Sequence, residues 1–107
     1  MMDRCHQSGG VDMTEDAKKI AEMLKNLANE NRLLILCALM QQPMTVGALA
    51  AFVPSISQSA LSQHLSMLKS AGILRSEKNA QSVTYAVADE RAAAVVRTLK
   101  VYYCANV

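Results

Sequence analysis

The segment Ser57-Gln58-Ser59-Ala60-Leu61-Ser62-Gln63-His64-Leu65 concentrates hydrogen-bonding side chains that carry no fixed charge. A glutamine can pair with an adenine edge through both halves of its amide, and a serine can contact bases or phosphates. Solvated helix faces are usually rich in Glu and Lys, whereas on the stretch Ser57–Ala71 Lys69 is the only formal charge. Ser57, Gln58, Ser59, Ser62, Gln63 and Lys69 are therefore candidate contacts to a nucleic acid. His64 has two readings, a further contact or a satisfied structural histidine packed beside them. Arg75, Lys78 and Gln81, a short distance downstream, are candidates for phosphate or minor-groove contacts, or for an ordinary exposed turn.

The remaining reactive groups are sparse. Cys5, Cys37 and Cys104 stand far apart with no C-x-x-C spacing, which indicates neither a structural zinc site nor a secreted disulfide framework. The polar start Met1-Met2-Asp3-Arg4-Cys5-His6 lacks the apolar segment of a secretory signal. A cytoplasmic location is expected, where the three cysteines are thiols unless something oxidises them. By composition Cys37, in a nearly all-apolar run, reads as a small buried hydrophobe. Cys5 with His6 is at most an adventitious metal ligand. There is no Gly-rich phosphate loop, nucleophile elbow or clustered acid–base pair, so no catalytic residue, cofactor or enzyme activity is expected.

These groups must be positioned by a chain of 107 residues, one domain by size. Half the residues are apolar but only four are aromatic, which suits a helical domain with a Leu/Ala/Met core and apolar surface left for a partner. The longest apolar runs, Leu33–Met40 and Ala48–Val53, are too short to cross a bilayer. The net charge of +2 is uninformative, but residues 57–88 carry three basic side chains against one acidic. That excess coincides with the candidate contacts.

Residues 1–12 read as a mobile tail and 13–107 as the ordered domain. Asp12 or Thr14 can cap a first helix to about Ala28, with Ile20, Met23, Leu24 and Leu27 as its apolar stripe. Asn29 caps a second helix, apolar almost all round, which Pro43 terminates. Thr45 caps a short third helix containing Leu49 and Phe52. Ser57 caps a fourth, with Leu61, Leu65 and Leu68 on its inner face and Gly72 as its left-handed stop. Strands Ile73–Ser76 and Val83–Val87 follow, separated by a long tip over Glu77–Ser82. Asp89 caps the last helix, which carries Val95, Val96, Leu99 and Tyr102. The fold class is mainly α with a small β-hairpin, in winged helix-turn-helix order. The excess apolar surface on the first and last helices points to a two-fold dimer formed through them.

The segments Leu27–Leu36 (LANENRLLIL), Ser57–Leu68 and Asn79–Tyr85 resemble the ArsR/SmtB family of small bacterial repressors, over residues 17–104. The resemblance implies a homodimer on palindromic double-stranded operator DNA, released when an inducer is sensed. It does not extend to the family's metal sites. The third-helix region Met44–Ala50 has no cysteine, and no histidine follows His64 to join Asp89 and Glu90 on the last helix. No metal ligands are assigned. Cys37 and Cys104, by contrast, match in position the thiol- and reactive-sulfur-sensing branch (BigR, SqrR and HlyU). That match implies a redox switch in which one thiol is oxidised or persulfidated and the other resolves it, with an oxidant or reactive sulfur as inducer. A regulator with no chemical switch, including an anti-silencing activator, and a metal sensor with unfamiliar ligands remain open readings.

Overall fold

A computed structural model describes the backbone of residues 9–104 and the side chains of residues 13–103. Among the described residues, five helices and three short strands follow one another as α1 (Gly9–Leu27), α2 (Glu30–Gln41), β1 (Met44–Thr45), α3 (Val46–Ala50), α4 (Gln58–Ser70), β2 (Leu74–Asn79), β3 (Ser82–Val87) and α5 (Glu90–Cys104). Cys5 and the rest of residues 1–8 lie outside the described residues. The described helix backbone already runs from Gly9, so Asp12 and Thr14 lie within α1 and not at an N-cap position. No proline interrupts the chain there, and two glycines alone do not stop a helix that its downstream turns propagate.

Local chemistry sets most other boundaries. The Asn29 side chain accepts from the backbone N–H groups of Asn31 and Arg32, at 2.9 and 3.2 Å. Thr45 accepts from Ala48 at 3.2 Å and Ser57 from Ala60 at 3.1 Å. Asp89 accepts from the N–H of Arg91 at 2.9 Å. Each satisfies a donor that the first turn of a helix otherwise leaves orphaned. Helix α4 ends in a Schellman arrangement. Gly72 adopts φ 79°, its N–H donates to the Lys69 carbonyl, and that of Ile73 donates to Leu68, both at 3.0 Å.

The strands depart from expectation. They form one antiparallel sheet in the order β1-β3-β2, with Met44 opposite Tyr85 and Thr45 opposite Thr84. Strand β1 is too short to show any sequence period. The hairpin has no long tip: Leu74 pairs with Val87 and the ladder continues to Asn79 opposite Ser82. Ala80 and Gln81 alone make the turn. Residues 77–79 are exposed, so a solvated strand there needs no apolar alternation and reads as loop. Phe52 lies beyond the end of α3, in the turn, and is 44% exposed.

One core joins all the elements from the end of α1 onward. Leu27, Ile35, Leu36, Leu39, Leu49, Val53, Leu61, Leu65, Leu68, Ile73, Leu74 and Val96 are all buried. Leu27 thus belongs to the core and not to the outward stripe of α1. Helix α2 runs through the middle, against α1, α4, α5 and β3, and between its exposed ends, Glu30 and Gln41, Leu34 is the one residue that faces out. Helix α3, the turn 51–57 and helix α4 form a helix-turn-helix, and the β2–β3 hairpin beside it is the wing.

Candidate nucleic-acid interface

The leucines of α4 fix which way its other side chains face. Leu61, Leu65 and Leu68 are at most 1% exposed. Gln58, Ser59, Ser62, Gln63, Ser66 and Lys69 are all exposed, as is the capping Ser57. The sequence-derived contacts therefore share one outward surface, dense in donors and acceptors and with Lys69, in the last turn, as its one charge; most of them lie toward the N-terminal end of the helix. Backbone N–H groups and the helix dipole at that end favour a phosphate.

His64 differs from its neighbours. It is half-buried, and its Nδ1 accepts a hydrogen bond from Nε of Arg32 on α2 at 3.1 Å. The same guanidinium donates through Nη1 to the Asn26 carbonyl of α1 at 3.2 Å. Loss of hydration, and secondarily the Arg32 charge, holds the imidazole below its ordinary pKa of 6.5. His64 is thus neutral at pH 7 and tied to two other helices. Sequence reasoning named the structural role as one of two readings but missed Arg32, which lies 32 residues away and gives no local signal.

The wing candidates separate. Lys78 and Gln81 are exposed at the outer end of the hairpin, next to the turn. Arg75 lies at its foot, where Nη1 donates to the Val87 carbonyl at 2.6 Å. Its surroundings there are the end of α2 (Gln41, Gln42, Pro43) and Glu90 and Arg97 of α5. The structure does not bring Arg75 to the wing tip.

Cys37 is half-buried and free. It lines a mostly apolar cavity between α2 and α5 with Leu33, Val96, Leu99, Lys100 and Tyr103. Cys104 closes α5 one residue beyond Tyr103; its side chain lies outside the described residues. At the other end of α5 both Asp89 carboxylate oxygens accept from Arg91, at 3.0 and 3.1 Å. That bonding holds the Asp89 pKa below its ordinary value. Among the described residues no three His, Cys, Asp or Glu side chains cluster as metal ligands would. No described helix is long and apolar enough to cross a membrane.

A buried leucine stripe, a polar outward helix and a flanking hairpin define a winged helix-turn-helix of the DNA-binding kind. The family model for "Bacterial regulatory protein, arsR family" matches residues 29–76. The chain is 39% identical to the transcriptional activator HlyU of Vibrio cholerae, over 87% of this chain and 85% of that protein. The structure of reduced HlyU from the same species superposes with a TM-score of 0.80, covering 87% of this chain and 97% of that one. The transcriptional repressor BigR of Xylella fastidiosa gives 0.81 at 32% identity, covering 87% and 94%. A homodimeric winged helix-turn-helix domain from Mycobacterium bovis gives 0.73 at 27% identity, covering 86% and 84%. The chain belongs to the ArsR family of transcriptional regulators.

Proposed function

We propose that this chain is a homodimeric repressor that reads a palindromic operator with α4 and is released when Cys37 and Cys104 are oxidised or bridged by reactive sulfur. The observation that carries the switch is the position of Cys37. It is a partly open thiol on the central helix, and it faces the turn of α5 that ends in Cys104. The likeness to reduced HlyU supports a chain with a reduced and an oxidised form. Ser57, Gln58, Ser59, Ser62 and Gln63 read bases or hold the backbone at the helix start. Lys69, Lys78 and Gln81 contact phosphate or the minor groove.

In the disulfide form of the switch, the oxidant takes two electrons and two protons leave the two thiols. With a polysulfide donor, one thiol takes up two sulfur atoms as the rest of the donor leaves as a thiol, and the second thiolate attacks the inner added sulfur, expelling hydrosulfide and leaving a bridge with one added sulfur. Either bridge pins the end of α5 to α2. Because α5 presents the surface assigned to the dimer, the spacing of the two α4 helices changes, and both must fit successive major grooves.

Mobility shifts with reduced, oxidised, persulfide-treated and metal-loaded protein test this reading. Wild type should lose DNA affinity after oxidant or sulfane sulfur, whereas Cys37→Ser and Cys104→Ser should not respond and Cys5→Ser should respond normally. Mass spectrometry should find a Cys37–Cys104 cross-link within one chain. Wild type that binds equally before and after treatment, with no cross-link, would overturn the switch. A second reading, activation by displacing a silencing protein, draws on the 39% identity to an activator. Reporter expression that falls when the gene is deleted would favour it.

A further inference from the structure

His64 and Arg32 line one open cleft together with Ala60, Gln63, Ser66 and Met67. Two of these, Gln63 and Ser66, belong to the outward polar face of α4, so the cleft opens onto the same surface as the proposed base contacts. No carboxylate lines it, and Arg32 supplies its only full charge. At about 460 Å³ it admits a phosphate group with its hydration. The hydrogen bonds also determine where the imidazole proton is. An arginine Nε–H can only donate, so Nδ1 of His64 must be the unprotonated nitrogen. The proton of the neutral ring is then on Nε2, and Nε2–H has no partner among the bonds the structure records. Arg32 uses Nε on His64 and Nη1 on the Asn26 carbonyl. Of its five N–H donors, those on Nη2 are uncommitted.

We infer that Arg32 and His64 together form a phosphate-binding site at the edge of α4 that seats one backbone phosphate of the DNA. Arg32 supplies the charge and holds His64 as the Nε2–H tautomer. His64 supplies a directed donor next to Gln63. The site adds to the helix-turn-helix a residue from α2, outside the reading helix, and rests on the reading of α4 as the DNA-facing element. A phosphate seated there fixes how far α4 enters the groove, because α1, α2 and α4 are tied through the same guanidinium. Phosphate contacts of this kind set register without selecting sequence.

The test measures binding to a mixed-sequence duplex across a salt series, with thermal unfolding and sedimentation confirming folded dimers. Arg32→Gln should weaken binding to all sequences and flatten the slope of log affinity against log salt by about 0.9 for each phosphate no longer neutralised. His64→Ala should weaken binding with the slope kept, since a neutral donor releases no counterion. His64→Gln, whose amide N–H approximates Nε2–H, should recover most of that loss, and His64→Asn should not. Nitrogen NMR of the wild type should show Nε2 protonated and Nδ1 bare, with the Nε2 signal moving when duplex is added. A folded Arg32→Gln dimer with an unchanged slope would overturn the site, as would a proton on Nδ1. If Arg32→Gln does not fold, the His64 series and the wild-type spectrum decide. Gln58→Ala and Gln63→Ala are measured on a duplex selected from a random pool by the wild type. Relaxed sequence preference in those variants with an unchanged Arg32→Gln slope removes only the phosphate site. Unchanged preference in both removes α4 as the reading helix.

Discussion

Helix α4 buries Leu61, Leu65 and Leu68, and helix α5 buries Ala92, Ala93 and Val96, yet the two show solvent opposite chemistries. Outside, α4 carries serines and glutamines. Helix α5 instead leaves Leu99, Val101, Tyr102 and Tyr103 exposed, and α1 beside it leaves Met13, Ile20 and Leu24 exposed. Ile20, Met23 and Val95 line one groove, so the two exposed apolar faces adjoin. The inward faces decide the fold, and they are interchangeable in kind. The outward faces decide the partner. A polar face with a single charge suits base edges, which offer donors and acceptors in fixed patterns. A contiguous apolar face on so small a domain suits a second copy.

The largest effect that can break this contrast comes from charging the apolar side. Leu99 and Tyr102 are 49% and 79% exposed, so Leu99→Lys with Tyr102→Lys should leave the monomer folded. Sedimentation should then show monomers at micromolar concentration. Operator affinity should fall by roughly 10²–10⁴-fold, because two linked half-sites become two separate ones. An intact dimer would take α5 out of the interface.

On the polar side, Gln58→Ala or Gln63→Ala should cost about 1–3 kcal/mol for each base left unread and relax sequence preference, with the dimer unaffected. Equal affinity and preference in both would show that the face is merely solvated. The wing sharpens the comparison further. Lys78→Ala should weaken binding to every sequence and reduce the salt slope by about 0.9 per phosphate. Arg75→Ala should leave that slope nearly unchanged and lower the unfolding midpoint instead, since its guanidinium is committed to the Val87 carbonyl.

The capping residues Asn29, Thr45, Ser57 and Asp89 and the stop at Gly72 are legible in the sequence because each acts on a backbone group within a few residues. The leucine spacing of α4 is legible for the same reason, and with it the outward set of Ser and Gln. Three features are not. The outer half of the wing has both faces in water, so nothing in Glu77–Ser82 alternates and a strand looks like a loop. Arg75 looks like a wing residue until the pairing of Leu74 with Val87 shows it to be at the foot. The Arg32–His64 bond joins residues that only the packing of α2 on α4 brings together.

A smaller effect is expected from acid. The His64 pKa is lower folded than unfolded, chiefly through burial and secondarily through Arg32. Below about 6.5 the unfolded chain therefore binds a proton more readily than the folded one. Stability should be level through neutral pH, fall as pH drops below the ordinary value, and stop falling once the folded ring is itself protonated. Among the described residues Arg32 of α2 is the charged side chain that acts on the ring, and Arg32 is in turn anchored on the Asn26 carbonyl of α1. Replacement by Gln should remove this part of the acid slope in urea titrations at stepped pH, leaving the portion due to carboxylates such as Asp89. A slope unchanged by His64→Gln would mean that the ring is not held neutral.

The smallest effect tests the wing alone. Ala80 has φ 56°, the one non-glycine residue with positive φ among those described. A side chain in that region costs about 1–2 kcal/mol, because Cβ crowds the following carbonyl oxygen. Glycine removes the crowding but raises the entropy of the unfolded chain, which costs back about 0.4–1 kcal/mol. The net expectation for Ala80→Gly is a gain on the order of 0.5 kcal/mol, visible as a small rise in the thermal midpoint. The turn sits between Asn79 and Ser82, which already pair, so the register that places Lys78 should be kept and DNA affinity should not move. A lower midpoint would show that Ala80 rests outside the left-handed region. A higher midpoint with weaker binding would show that the stiffness of the tip contributes to DNA binding, and that the wing belongs energetically with α4.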